Sequence, residues 1–116
     1  MIIKSHTQEE VFTREKCHIT ELLNDDLIPN LSLATARVEP NITTELHELD
    51  VDEVYYILKG QGNMQIEGQS TGMVGVGDVV FIRKGKFQQI TNTGPSDLVF
   101  LCICNPRFEQ DKYHEI

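Results

Sequence analysis

The chain of 116 residues has no tryptophan and only ten lysines and arginines, set against eighteen aspartates and glutamates. The shortage of bases leaves a formal charge of −8. A nucleic-acid binder meets phosphates with a basic stripe, and an anionic membrane surface attracts the same feature, so both partners are excluded. Cysteine is scarce as well. Cys17, Cys102 and Cys104 are an odd count with no zinc-finger spacing. No apolar run approaches the roughly 18–20 residues of a membrane span, and Met1 to Glu10 lacks the continuous apolar stretch of a signal peptide. The expectation is a cytoplasmic protein with reduced thiols, in which the glycosylation sequons at Asn30 and Asn41 are chance matches. Helical periodicity is nearly absent, confined to a few residues near Thr7–Phe12.

What the chain does have is punctuated strand. All eight glycines fall between Gly60 and Gly94, and short β-branched and aromatic runs lie between them. This rhythm predicts an all-β sandwich or barrel, and the length suits one domain. Strands are expected at 17–23, 31–39, 43–49, 53–59, 63–67, 70–76, 78–83, 87–92 and 97–104. Residues 1–16 then form an N-terminal arm, 17–104 the barrel, and 105–116 a polar, solvated tail with room for one helical turn. Leu98 to Cys104 is apolar at every position, the pattern of a strand covered on both faces, by the interior on one side and by a covering sheet or a partner on the other.

Two segments carry chemistry. In Glu45–Gly60, His47 is followed by Glu53 and, after an aromatic and aliphatic strand, by Gly60; in Gly77–Asn92, Gly77-Asp78 is followed by Gly85, Gln88 and Asn92. Together they resemble the two motifs of the cupin family over roughly residues 31–104. That resemblance implies a double-stranded β-helix barrel of jelly-roll type, usually dimeric. It also implies a metal held by two histidines and a glutamate of the first motif and a histidine of the second. This chain keeps His47 and Glu53; Leu49 stands at the second histidine, Gln88 at the last, and Arg83 at the motif's proline.

Side chains two apart on a strand share a face. His47 and Leu49, Glu53 and Tyr55, and Gln88 and Asn92 are therefore expected on inward faces that meet near one mouth. His47, Glu53 and Gln88 are the candidate ligands for a divalent ion such as Fe, Mn, Zn or Ni. Tyr55, Arg37 and Asn92 are the candidate substrate-pocket residues, although an outward, snorkelling Arg37 is the alternative. Equally, the polar set satisfies itself by hydrogen bonds, His47 to Glu53 and Gln88 to either. Cys102 and Cys104 offer a soft ligand or pack as small hydrophobes, and Cys17 packs in the core. His6, His18 and His114 have no companions at ligand spacing. Glu45, Glu48, Asp50, Asp52 and Glu53 crowd around His47 and would draw a cation to the mouth.

Gly60-x-Gly62 and Gly75-x-Gly77 lack the third glycine and the helix of a dinucleotide fingerprint. Two functional readings follow. One is a metal-dependent enzyme acting on a small polar metabolite, its reaction type unassigned. The other is a non-catalytic module that binds or senses a small ligand in the same pocket without metal. An interaction scaffold is a third reading with little behind it.

Overall fold

A computed structural model describes residues 1–116 and contains eleven strands. These are β1 (Glu10–Phe12), β2 (His18–Leu23), β3 (Ser32–Val38), β4 (His47–Leu49), β5 (Asp52–Lys59) and β6 (Gln61–Ile66). They continue with β7 (Gly72–Gly75), β8 (Val79–Ile82), β9 (Gln88–Asn92), β10 (Leu98–Asn105) and β11 (Tyr113–Glu115). One antiparallel sheet runs β1-β2-β3-β10-β5-β8 and the other β11-β4-β9-β6-β7. From β3 onward the chain passes repeatedly between the sheets, the winding of a double-stranded β-helix. The two sheets face each other without closing into the expected cylinder.

Alternation decides what each strand buries. β5 turns Glu53, Tyr55 and Ile57 inward, β9 turns Gln88, Ile90 and Asn92 inward, and β4 turns His47 and Leu49 inward. Val38, Ile57, Ile90, Leu98 and Phe100 make the main core with Met64 and Ile82. A smaller cluster of Leu49, Val51, Cys104 and Tyr113 closes one end. Both depend on apolar area removed from water, worth about 25 cal/mol per Å².

Gly60 sits where the chain crosses from β5 in one sheet to β6 in the other. Its φ of +81° is left-handed, and a Cβ there would stand 2.7 Å from the carbonyl oxygen of Asp97. Both facts require glycine at this corner.

In the run Leu98–Cys104, Leu98, Phe100 and Cys104 are buried, whereas Val99, Leu101 and Ile103 face outward and stay half-buried, so no second sheet of this chain covers them. Two expectations need correction. Residues 43–46 are not ladder, apart from an isolated bridge from Thr43 to Thr91. The tail is not simply a solvated end. After a 3-10 turn at Gln110–Lys112 it forms β11, which pairs with β4 and buries Tyr113. No helix is long and apolar enough to cross a membrane.

Candidate functional site

A cavity of about 520 Å³ opens between the sheets, roofed by the N-terminal arm. His47, Glu53, Tyr55, Cys102 and Cys104 line it, with Ile19, Ala34, Leu49, Phe100 and Phe108 as apolar wall. Its volume lies within the range of small-molecule sites.

The polar groups at its inner end are tightly bonded. Tyr55 donates its hydroxyl to Gln88 Oε1 at 2.7 Å, and Gln88 Nε2 donates to Glu53 Oε1 at 3.1 Å. The Cys104 thiol lies 3.7 Å from Glu53 Oε2. This chain of bonds uses both ends of the Gln88 amide, and Gln88 does not line the cavity. Every fully buried side-chain nitrogen and oxygen has a partner.

His47 lies opposite Gln88 in the β4–β9 pairing but does not bond Glu53. Its Nδ1 is 2.7 Å from the carbonyl oxygen of Glu45. A carbonyl only accepts, so Nδ1 carries the proton and Nε2 presents a lone pair. The ring stacks on Tyr113 with centroids 4.7 Å apart and planes 18° from parallel. Tyr113 is held in turn by its hydroxyl, which donates to Glu45 Oε1 at 2.6 Å.

Sequence reasoning missed Glu15. A turn at Thr13–Cys17, with Lys16 at φ +68°, aims Glu15 and Cys17 at the cavity. Glu15 Oε2 stands 4.0 Å from His47 Nε2 and 4.0 Å from the Cys17 thiol. The sequence carries no periodic signal for it, since residues 13–17 form a turn between β1 and β2 rather than strand. Tyr113 was missed too, as a lone aromatic in a polar tail.

Burial dominates the protonation of these groups. It raises Glu53 to about 8, with the nearby Glu15 adding to the rise and the bonds from Gln88 and Cys104 opposing it. It raises Glu15 to about 7, helped by Glu45. It lowers His47, which keeps the ring neutral, and pushes the thiols of Cys102 and Cys104 well up. The cysteines here are protonated small hydrophobes rather than thiolates.

Two residues expected in the pocket lie elsewhere. Arg37 points outward because its neighbours Ala36 and Val38 take the inward face of β3. Its guanidinium bonds both carboxylate oxygens of Glu10 and Asp97 Oδ2. Asn92 is 1% exposed, and its amide is committed to backbone: Nδ2 donates to the carbonyls of Val38 and Ser96, and Oδ1 accepts from Gly94 N–H. It fixes the β9–β10 turn. The acidic crowd around His47 disperses as well: Asp50 bonds His114, Asp52 accepts from Lys84 N–H, and Glu45 accepts from Tyr113.

The donor set does not fit a resident metal. No three His, Cys, Asp or Glu side chains converge to hold an ion. Leu49 brings an apolar side chain to the inward position beside His47. The Gln88 oxygen, its one atom able to ligate, is occupied by the Tyr55 hydroxyl. His47 Nε2 and Glu15 remain, two donors where a closed site takes four and a catalytic one three.

A family model described as Cupin domain matches residues 34–104. The Oxalate-binding protein of Thermotoga maritima is 33% identical over 88 residues, 73% of this chain and 72% of that protein. The crystal structure of a predicted oxalate decarboxylase from Thermotoga maritima is similar with a TM-score of 0.77 at 26% identity, covering 91% of this chain and 99% of that one. The structure of Oxalate Decarboxylase from Bacillus subtilis gives a TM-score of 0.81 at 18% identity. It covers 96% of this chain, which spans only 30% of that enzyme's length, so this likeness shows the fold.

Proposed function

Because the chain belongs to the cupin family, whose fold hosts many chemistries, we propose that it binds a small molecule in the inter-sheet cavity without a resident metal. One observation carries the reading. The Tyr55–Gln88–Glu53 chain of hydrogen bonds occupies Gln88 and one oxygen of Glu53, two of the groups that the family resemblance implies as ligands, while the cavity beside it stays open and mostly apolar. The Thermotoga relative is named for binding oxalate. That dianion has no free base to meet here, since Arg14, the one basic chain on the wall, bonds Glu115 and pairs with Glu45. What carries over is the binding of a small molecule, not the dianion.

Chelator-treated protein screened against small molecules with apolar bodies should show hits that raise the melting temperature. Ligand at a hundred times its Kd adds about 2.7 kcal/mol, a rise of roughly 10 °C for a domain of this size. Ala34→Phe, which fills the cavity from β3, should abolish the rise. Hits that need added transition metal, or that survive Ala34→Phe, would contradict the proposal.

For assembly we propose a homodimer through the outer face of the first sheet. There Val54 and Tyr56 of β5, Val79 and Phe81 of β8, and Leu101 and Ile103 of β10 stand side by side in register. Tyr56, Val79 and Phe81 are each more than 40% exposed. Exposed apolar patches of this continuity mark interaction sites, and a stable interface takes about 800 Å² from each partner. Two copies at −8 repel each other except across a face free of carboxylates, and the centre of this face has none. Sedimentation should give the mass of two chains, and Phe81→Glu should give one. A wild-type mass of one chain would refute the dimer.

A further inference from the structure

Resting on the reading of the cavity as a metal-free binding site, we infer that its ligand is a small organic cation, a protonated amine on an apolar body. Three independent features of the wall point there.

The first is the pattern of acceptors. His47 lines the cavity, and its Nε2 has no hydrogen-bond partner and is not sealed off, so it opens on the cavity; Glu15 Oε2 stands 4.0 Å from it. That separation is too long for a direct bond. A single donor group seated between them, about 2.8 Å from each, satisfies both. An ammonium has three donors and no acceptor, and its diverging N–H bonds suit two acceptors this far apart. A carboxylate, which only accepts, would leave Nε2 unpaired.

The second is charge. Glu9, Glu15 and Glu21 line the cavity against Arg14 alone, Glu53 beside them being held protonated by burial, and a cation next to Glu15 favours its ionised form. The Arg14 guanidinium already bonds Glu115 and pairs with Glu45. An anion entering therefore meets carboxyls and no free base, whereas a cation is drawn in. The third is shape. Beyond the polar end the wall is Ile19, Ala34, Leu49, Phe100 and Phe108, which asks for an aliphatic or aromatic body.

Three probes with one body and different heads test this: hexylamine, hexanol and hexanoate, titrated calorimetrically into the chelator-treated full chain near neutral pH. Hexylamine, protonated there, should bind about tenfold or more tighter than hexanol, a difference of one decade in Kd. Hexanoate should bind more weakly than hexanol. Glu15→Gln should bring the amine to within about threefold of the alcohol. Hexanoate binding as tightly as hexylamine would overturn the inference, as would an unchanged preference in folded Glu15→Gln; the cavity would remain a binding site in either case. Failure of all three probes to bind would remove the binding-site reading and the inference with it. The wild-type comparison decides between cation and anion without any variant.

Discussion

Glu53→Gln is expected to be more stable than the wild type in mildly alkaline solution, by about 3–5 kcal/mol near pH 8.5. Glu53 is 7% exposed, and burial raises it to about 8. In the unfolded chain a glutamate titrates near ~4.3. Between those two values the unfolded chain has ionised while the folded protein still holds the proton. Folding then takes up a proton, and each pH unit costs about 1.4 kcal/mol. The penalty is absent below the unfolded value, grows as pH rises, and is complete above the folded value. Glutamine is neutral throughout and keeps an oxygen to accept from Gln88 Nε2, so the inner hydrogen bonds survive. Glu15, raised to about 7, adds a penalty of the same sign to both proteins. Urea unfolding at several pH values should show the two curves converging near pH ~4 and separating above it. A wild type more stable than the variant at pH 8.5 would mean that the Glu53 carboxylate is ionised and compensated in the fold, against this account.

The double substitution Leu49→His and Gln88→His is expected to create a four-ligand metal site around His47 and Glu53. Leu49 is two residues from His47 on the same face of β4, and Gln88 lies directly across from His47 on β9. Imidazoles there, with His47 and Glu53, would make four ligands of the kinds that hold zinc or nickel. Removing the Gln88 amide also releases Glu53 from its bond and Tyr55 from its acceptor. The affinity for zinc should rise by about a hundredfold or more, since each added ligand deepens binding. Without metal the variant should be less stable, because Leu49 packs in a buried cluster with Val51, Cys104 and Tyr113. Added zinc should restore the loss. A folded double variant with wild-type zinc affinity would show that the two missing histidines are not what separates this cavity from a metal centre.

Much of this was legible in the sequence because strand parity is a local rule. Alternation alone placed His47, Glu53, Tyr55 and Gln88 on inward faces, and the glycine at 60 marked the corner between sheets. The self-satisfied alternative for the polar set holds in part: Gln88 bonds Glu53, whereas His47 turns to the Glu45 carbonyl. Arg37 was ambiguous because β3 mixes apolar and polar residues on both faces, with Leu33, Thr35 and Arg37 on one and Ser32, Ala34, Ala36 and Val38 on the other. Only the pairing with β2 and β10 decides which face is inward. Asn92 could not be read as a turn residue without knowing that the Val38 and Ser96 carbonyls converge on it. Glu15 and Tyr113 were illegible for a common reason. Each reaches His47 through contacts distant in sequence, from a bent arm and from a three-residue strand too short to leave a periodic pattern.

The central claim, a cavity that works without a resident metal, rests most directly on the metal content of the native protein. Elemental analysis of protein purified without chelator or nickel-affinity resin, followed by titration with Fe, Mn, Zn and Ni, measures it. The account predicts less than about a tenth of an equivalent as purified and no stoichiometric uptake on titration, because two donors do not make a site. One equivalent of a transition metal, lost on substituting His47 by alanine, would contradict it.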